Sequence, residues 1–301
     1  MKMNIIDLHG QFCQEALLIK NYTPATIKWY KDAMRRFLKW HDGKLEDVSE
    51  ITTDRLREYL YGKRESGCWS PDTFLSIYKA LKSFLKWCVG REYLEVNPIV
   101  AIDKPRLARK LPKRITEQEA LRVMEYSFNM RTSYRFERYR NRALFAVMIF
   151  SGLRAQEVLN LKTTHVDMEN MIIHVFEGKG GHDRVVPMAS KLQRYLREYL
   201  EDVKRLKKRS EYFFVTLRGD GPFTYNGLKR VVERVRSGSG VKFSSHKLRH
   251  TFATLMLEAG VDLYSLQKMM GHKSIETTTI YLSASVNLLQ KQMLKHPLGG
   301  S

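Results

Sequence analysis

The sequence predicts a mainly α protein with a small β-sheet, built as a helical N-terminal domain followed by a mixed α/β domain. Three observations support this class. Apolar residues recur at helical spacing through residues 1–103, a proline-interrupted basic segment follows at 104–115, and residues 116–301 contain one short region rich in β-formers. The chain has 301 residues, 43% of them hydrophobic, which is enough for two ordinary domains with buried cores.

In the first domain, two helices begin where proline follows a potential N-cap, at Thr23-Pro24 and Ser70-Pro71. A weaker helical pattern runs from Thr53 to Tyr61. Each of the two main helices carries an apolar stripe on one side and lysine or arginine elsewhere around the cylinder. The apolar stripe predicts packing against a core, and the cations face either solvent or a partner.

Positive charge dominates the composition. The 52 Lys and Arg residues exceed the 32 Asp and Glu residues and give a net charge of +20, which suits a polyanion and makes nucleic acid the first partner to consider. The basic segment is either a hydrated tether or a phosphate contact. Our candidate nucleic-acid-binding residues in the helices and this segment are Lys28, Arg35, Lys79, Lys82, Lys86, Arg106, Arg109 and Lys110.

The second domain begins with a capping box at Thr116–Glu119 that starts a helix. Another helix includes Ala143–Phe150. The segments Met171–Glu177 and Arg184–Met188 predict a β-hairpin whose glycine-rich turn carries Lys179 at its tip. The remaining helical patterns are Lys191–Arg209, a helix from near Ser245 to Gly260, and a helix from near Asp262 to Gly271.

Several classes of protein are not expected. The longest apolar run, Ala143–Phe150, is too short to span a bilayer, and the first ten residues lack the apolar core of a secretory signal, so we expect a cytoplasmic protein with no membrane partner. Cys13, Cys68 and Cys88 form no C-x-x-C pair and have apolar neighbours. They predict buried thiols, with neither a disulfide framework nor a zinc site.

A set of cations, histidines and one tyrosine in the second domain indicates phosphate chemistry. Arginine presents a planar fork of donors to the nonbridging oxygens of a phosphodiester, and a helix N-terminus adds positive potential. A tyrosine with an ordinary pKa of about 10 is a weak nucleophile until cations and a base help to form phenolate. The residues concerned are Ser151–Val158, Lys179, His246, Arg249, His250, Gly271, His272 and Tyr281.

Each of these residues also has a simpler explanation. Arg154 and Glu157 can form an ion pair on one helix, and Lys179 can be an exposed hairpin tip. His246 and His250 are at i and i+4, but no third ligand lies at a useful spacing and the arginine between them would repel a cation, so no metal is expected. The joint order of the residues favours the catalytic interpretation.

That order resembles the tyrosine recombinase family, also called phage integrase-like recombinases, and is most similar to its compact Xer-type members. The family's T/S-G-L-R-x-x-E pattern falls on Ser151–Glu157, and its H-x-L-R-H pattern falls on His246–His250. Its L-G-H…Y ending falls on Met270, His272 and Tyr281, with methionine in place of the usual leucine. This departure exchanges one apolar residue for another and leaves the chemistry unaffected.

The resemblance implies a core-binding (SAM-like) N-terminal domain and a tyrosine-recombinase catalytic domain. It implies that Tyr281 attacks the scissile phosphate to form a 3′-phosphotyrosyl link, with no cofactor. Lys179 would protonate the leaving 5′-oxygen, His246 would assist proton transfer at Tyr281, and His272 would hydrogen-bond a phosphate oxygen. By resemblance the catalytic residues are Arg154, Lys179, His246, Arg249, His272 and Tyr281, supported by Glu157.

The resemblance also implies double-stranded DNA as the substrate and a homotetramer acting on two DNA sites, with an accessory regulatory protein as a further candidate partner. The biological task would be Xer-like recombination or integration and excision of a mobile element. A C-terminal helix at Asn287–Leu294 would dock on a neighbouring protomer or on its own domain. Two alternatives stay open: type IB topoisomerase-like DNA relaxation, and a non-catalytic architectural DNA-binding protein.

Overall fold

The structure, a computed structural model, describes residues 4–107, 113–176 and 183–282. It confirms the mainly α class with one small sheet. The chain separates into two compact units, Met1–Arg109 and Lys110–Ser301, and each has its own buried apolar core. The division falls inside the basic segment identified from the sequence.

The first unit is a helical bundle. Thr23 and Ser70 cap their helices as the sequence predicts, because each side chain accepts a hydrogen bond from the backbone N–H three residues later. The last of these helices has buried side chains from Phe74 to Cys88 and packs against the other three. Within the described residues, the helices are α1 (Ile5–Leu18), α2 (Pro24–Trp40), α3 (Thr53–Glu65) and α4 (Pro71–Gly90).

The second unit is built around one helix whose C-terminal half is apolar and buried on nearly all sides. This helix, α6 (Arg135–Ser151), packs against α5 (Glu117–Asn129), α8 (Ser190–Arg205) and α10 (Ser245–Glu258). Its burial explains why the run around Ala143 is apolar without being a membrane segment. The other described helices are α7 (Ala155–Asn160), α9 (Tyr225–Ser239), α11 (Leu263–Met270) and α12 (Glu276–Thr279).

The predicted hairpin is present as two strands of a three-stranded antiparallel sheet. The strands are β1 (Val166–Asp167), β2 (Ile172–Val175) and β3 (Arg184–Pro187), in the order β1-β2-β3. Ile173 lies opposite Val186, and both are buried. The turn that carries Lys179 lies outside the described residues.

Two sequence-based expectations were wrong. The helix predicted for 191–209 ends at Arg205, because the backbone becomes left-handed at Lys207 and the chain closes with a hydrogen bond from Lys208 N–H to the Val203 carbonyl. Cys68 is exposed rather than buried, because it lies in the loop between α3 and α4 and not on a helix face.

Across the described ranges, none of the helices combines the length and hydrophobicity that a bilayer crossing needs.

Gly152 makes the sharp turn between α6 and α7 possible. Its φ of +62° is left-handed, and a Cβ built there would lie 2.2 Å from the ring of Phe252. Phe252 lies on α10, so α10 approaches the turn closely only because Gly152 has no side chain. This approach places the start of α7 beside α10.

We therefore expect Gly152→Ala to destabilise the protein by about 2 to 4 kcal/mol, the sum of left-handed strain and overpacking. Urea unfolding measures this change. The matched control is Gly240→Ala, because Gly240 has a φ of +69° but nothing within 4 Å of its built Cβ. Gly240→Ala introduces left-handed backbone strain but no clash with a neighbouring side chain. Equal destabilisation by the two variants would therefore contradict the proposed overpacking against Phe252.

Candidate active site

The sequence-predicted arginine Arg154 lies at the N-cap of α7, directly after the Gly152 turn. Its backbone N–H donates to Glu157 Oε2 at 2.7 Å, and its guanidinium Nη1 donates to Glu157 Oε1 at 2.5 Å. Glu157 therefore accepts from both the backbone and the side chain of Arg154, which caps the first turn of α7 and forms an ion pair. The Arg154 side chain remains 39% exposed, so part of it can reach a ligand.

The second predicted arginine, Arg249, lies in the first half of α10 and is almost completely buried. Its Nη1 donates to the Gly152 carbonyl at 2.7 Å and is 3.9 Å from Glu157 Oε2. Burial, and then repulsion from the positive charge of Arg154, lower the pKa of Arg249 to about 10, which still leaves it charged at neutral pH. The structure thus brings both arginines to one carboxylate.

A third arginine, Arg184 at the start of β3, joins this cluster and was missed by the sequence analysis. Its guanidinium binds both oxygens of Glu157, at 2.7 and 3.1 Å. Burial by itself would raise the pKa of Glu157, but hydrogen bonds and charge from Arg184, together with Arg154, outweigh it and lower the pKa to about 2. The sequence did contain a signal for the inward orientation of Arg184. Residues two apart on a strand share a face, and Arg184 is two residues before the buried Val186.

The three arginines also bind three consecutive carbonyls at the C-terminal end of α11. Arg184 Nε donates to the Met269 carbonyl at 2.9 Å. The two other contacts are Arg249 Nη2 to the Met270 carbonyl at 2.5 Å and Arg154 Nη2 to the Gly271 carbonyl at 3.2 Å. Cations satisfy carbonyl groups that a helix end leaves without helical partners. The backbone that leads to His272 is therefore held by the arginine cluster.

The predicted nucleophile, Tyr281, follows α12 and is 2% exposed. A hydrogen bond of 2.8 Å joins its hydroxyl oxygen to Nδ1 of His250. The His272 ring is nearly parallel to the Tyr281 ring at a centroid distance of 6.3 Å, and His272 Nδ1 is 2.9 Å from the hydroxyl of Thr278.

The resemblance implies that His246 assists proton transfer at Tyr281. In the structure the hydroxyl is paired instead with His250, one helical turn further along α10, and the His246 ring lies 5.0 Å from the His250 ring. The H-x-L-R-H motif contains both histidines, so spacing alone did not distinguish them. No group of three or more metal-ligating side chains occurs within the part of the chain that the structure describes.

Burial and positive charge set the protonation states of this site. Burial, followed by the charges of His246 and Arg249, lowers the pKa of His250 to about 4. Burial and the arginines lower the pKa of His272 to about 4 as well. Burial raises the pKa of Tyr281, although Arg249 and Arg154 oppose that effect. At neutral pH both histidines are uncharged and the tyrosine is a phenol.

The remaining predicted residues are distributed as follows. Lys179, Arg109 and Lys110 lie outside the described residues. Arg35 is exposed and forms an ion pair with Asp32 at 2.6 Å. Lys82 is half-buried, and the other described candidates for DNA contact are exposed, namely Lys28, Lys79, Lys86 and Arg106.

The arrangement has the parts of an anion site with a nucleophile. Three guanidinium groups around one carboxylate leave an excess of positive charge, and a partly exposed Arg154 can present donors to phosphate oxygens. A phenol lies near enough for two of these arginines to affect its pKa. Such a site can bind a phosphodiester and attack it.

Comparison with known proteins agrees with this geometry. Residues 113–287 match the phage integrase family, and residues 11–95 match the phage integrase N-terminal SAM-like domain. The tyrosine recombinase XerC of Bacillus pumilus is 29% identical over 98% of this chain and 96% of its own length. The tyrosine recombinase XerA of Thermococcus kodakarensis is 31% identical over 93% of this chain and 92% of its own length.

Solved structures show the same fold. A crystal structure of the XerH site-specific recombinase bound to palindromic difH substrate, a post-cleavage complex, has a TM-score of 0.74 at 23% identity and covers 95% of this chain and 83% of the XerH chain. A crystal structure of XerA recombinase has a TM-score of 0.55 at 27% identity and covers 97% of this chain and 98% of that chain. With a family match across more than half of its residues and relatives aligned over nearly all of its length, the chain belongs to the phage integrase family of tyrosine recombinases.

Proposed function

We propose that this chain is a site-specific DNA recombinase that cuts and rejoins duplex DNA through Tyr281. The observation that carries the proposal is the convergence of Arg154 and Arg249 on one buried carboxylate, near enough to Tyr281 for their charges to oppose part of the rise in its pKa that burial causes. Names of the aligned relatives support the same activity, since both are tyrosine recombinases.

In the proposed reaction the Tyr281 hydroxyl oxygen attacks the scissile phosphorus. A bond forms between phosphorus and the tyrosine oxygen, the bond from phosphorus to the 5′-oxygen breaks, and the phenol gives up its proton to His246, which assists the transfer as the base. Lys179 supplies a proton to the departing 5′-oxygen, which leaves as a hydroxyl. The 3′-phosphotyrosyl link is still a phosphodiester, so the 5′-hydroxyl of another strand can reverse the step without an external energy source.

The other residues stabilise the charge that develops on phosphorus. Arg154 and Arg249 donate to its nonbridging oxygens, and His272, which is neutral, donates a hydrogen bond to one of them. Glu157 does not contact the phosphate and holds the arginines in place. His246, at the start of α10, lies where the helix dipole adds positive potential.

DNA binding is assigned to both units. In this proposal the first unit is the core-binding domain, and its exposed lysines on α2 and α4 contact phosphates together with Arg106, Arg109 and Lys110. We propose a homotetramer on two DNA sites, with the 287–294 segment docking on a neighbouring protomer and an accessory protein regulating exchange. Because duplex DNA is the substrate, we place the enzyme in the cytoplasm.

Tyr281→Phe is expected to keep DNA binding and abolish the covalent adduct, because only the attacking oxygen is removed. The substrate is sheared genomic DNA of the organism that encodes the chain, with adducts isolated after denaturation and the trapped DNA sequenced. The control is Tyr264→Phe, since Tyr264 lies on α11 and is 63% exposed. A persistent adduct in the Tyr281 variant would refute the assignment.

The trapped DNA also separates the alternatives. Enriched sequences that are exchanged between two duplexes support recombination. Relaxation of supercoiled plasmid without strand exchange would indicate topoisomerase-like activity instead. Binding by the wild type without any adduct would indicate an architectural protein.

DNA affinity is expected to fall steeply with salt, because each neutralised phosphate releases counterions. Replacing Lys79 and Lys86 with glutamine should reduce the slope of log affinity against log salt by about 2, close to one for each lost phosphate contact. Fluorescence anisotropy over a salt series measures the slope. Lys44→Gln is the control, because Lys44 is an exposed lysine outside these helices. An unchanged slope in the double variant would contradict the assignment of this face to DNA.

A further inference from the structure

His250 contacts the one atom on which the proposed reaction depends. Its Nδ1 is 2.8 Å from the Tyr281 hydroxyl oxygen, and the two ring centroids are 5.4 Å apart. The same tyrosine belongs to a buried apolar cluster that includes Phe252, Leu257 and Met270. Apolar packing fixes the position of a ring, but it does not fix the direction of its O–H bond.

The charge around His250 decides which partner donates. At neutral pH the imidazole is uncharged, because burial and the neighbouring His246 and Arg249 oppose its protonation. The positive charges of Arg249 and Arg154 interact with the phenol of Tyr281. They favour the rotamer of the O–H bond in which the oxygen lone pairs face the two arginines. The O–H bond then points away from the arginines, and Tyr281 donates to the lone pair of His250 Nδ1.

We infer that His250 is a positioning residue for strand cleavage, which accepts the hydrogen bond of Tyr281 and so directs the lone pairs of the phenol oxygen toward the phosphate. This inference rests on the proposed function. It adds a positioning role for His250 to the proton-transfer role that the resemblance implies for His246. An oriented nucleophile reacts faster because fewer of its rotations are unproductive.

The test compares variants that keep or move the acceptor. In asparagine, as in histidine, the acceptor is bonded directly to Cγ, so His250→Asn retains an acceptor in the Nδ1 position. His250→Gln moves the acceptor one bond outward, and His250→Leu removes it. The measurement is the single-turnover rate of adduct formation on a DNA fragment recovered from wild-type adducts, together with DNA affinity and thermal unfolding of each variant.

We expect His250→Leu and His250→Gln to slow adduct formation by about 10- to 100-fold, as for a misplaced reacting group, with DNA affinity unchanged. His250→Asn should retain a rate close to that of the wild type. His174→Leu is the control, since His174 lies on β2 and plays no part in the proposed site. The comparison of asparagine with glutamine holds even if the leucine variant fails to fold, because both are polar.

Two results would overturn the inference. The first is a rate for His250→Gln equal to that of the wild type. The second is a rate for folded His250→Asn as low as that of His250→Gln, which would show that the imidazole itself is needed. Absence of any Tyr281-dependent adduct in the wild type would instead refute the proposed function, and a wild-type adduct with unaffected His250 variants would refute this inference alone.

Discussion

The buried carboxylate of Glu157 is the interaction on which the rest of the site depends. Three guanidinium groups approach it, from Arg154 at 2.5 Å, Arg184 at 2.7 Å and Arg249 at 3.9 Å. Three like charges so close together would repel one another strongly where water is excluded. The negative charge of Glu157 reduces this repulsion. Three guanidinium groups and one carboxylate still leave a net charge of two positive units. An anionic phosphate can neutralise part of that excess, so the cluster that Glu157 holds together favours a phosphate ligand.

The same cluster connects the chemistry to the fold. Each arginine that reaches Glu157 also donates to a carbonyl at the end of α11, and these carbonyls belong to three consecutive residues. Gly152 belongs to the same arrangement, because its carbonyl accepts a hydrogen bond from Arg249. Because Gly152 has no side chain, α10 can pack closely against this turn. The loop that bears His272 is therefore positioned by the residues that would bind phosphate. A change in any one of these arginines acts on both the electrostatics and the geometry of the site.

The uncharged histidines explain why positive potential is concentrated on the arginines. Burial next to guanidinium groups disfavours a second kind of cation, so His250 and His272 are neutral and act through hydrogen bonds. Tyr281 is a phenol for a related reason, since its burial opposes ionisation more strongly than the arginines favour it. In the proposed reaction the phenol must therefore lose its proton when the phosphate is bound.

The sequence by itself determined the fold class, the two proline-marked helix starts and the membership of Arg154, Arg249 and Tyr281 in one motif set. These are properties of local spacing, and local spacing is set by helix and strand geometry. Only the tertiary structure decided that Arg184 shares the carboxylate and that His250, not His246, pairs with the phenol. Arg184 and Glu157 are 27 positions apart in the chain, and His250 and Tyr281 are 31 positions apart. Their formation depends on how packed elements cross, and no repeat or periodicity in the sequence encodes that crossing.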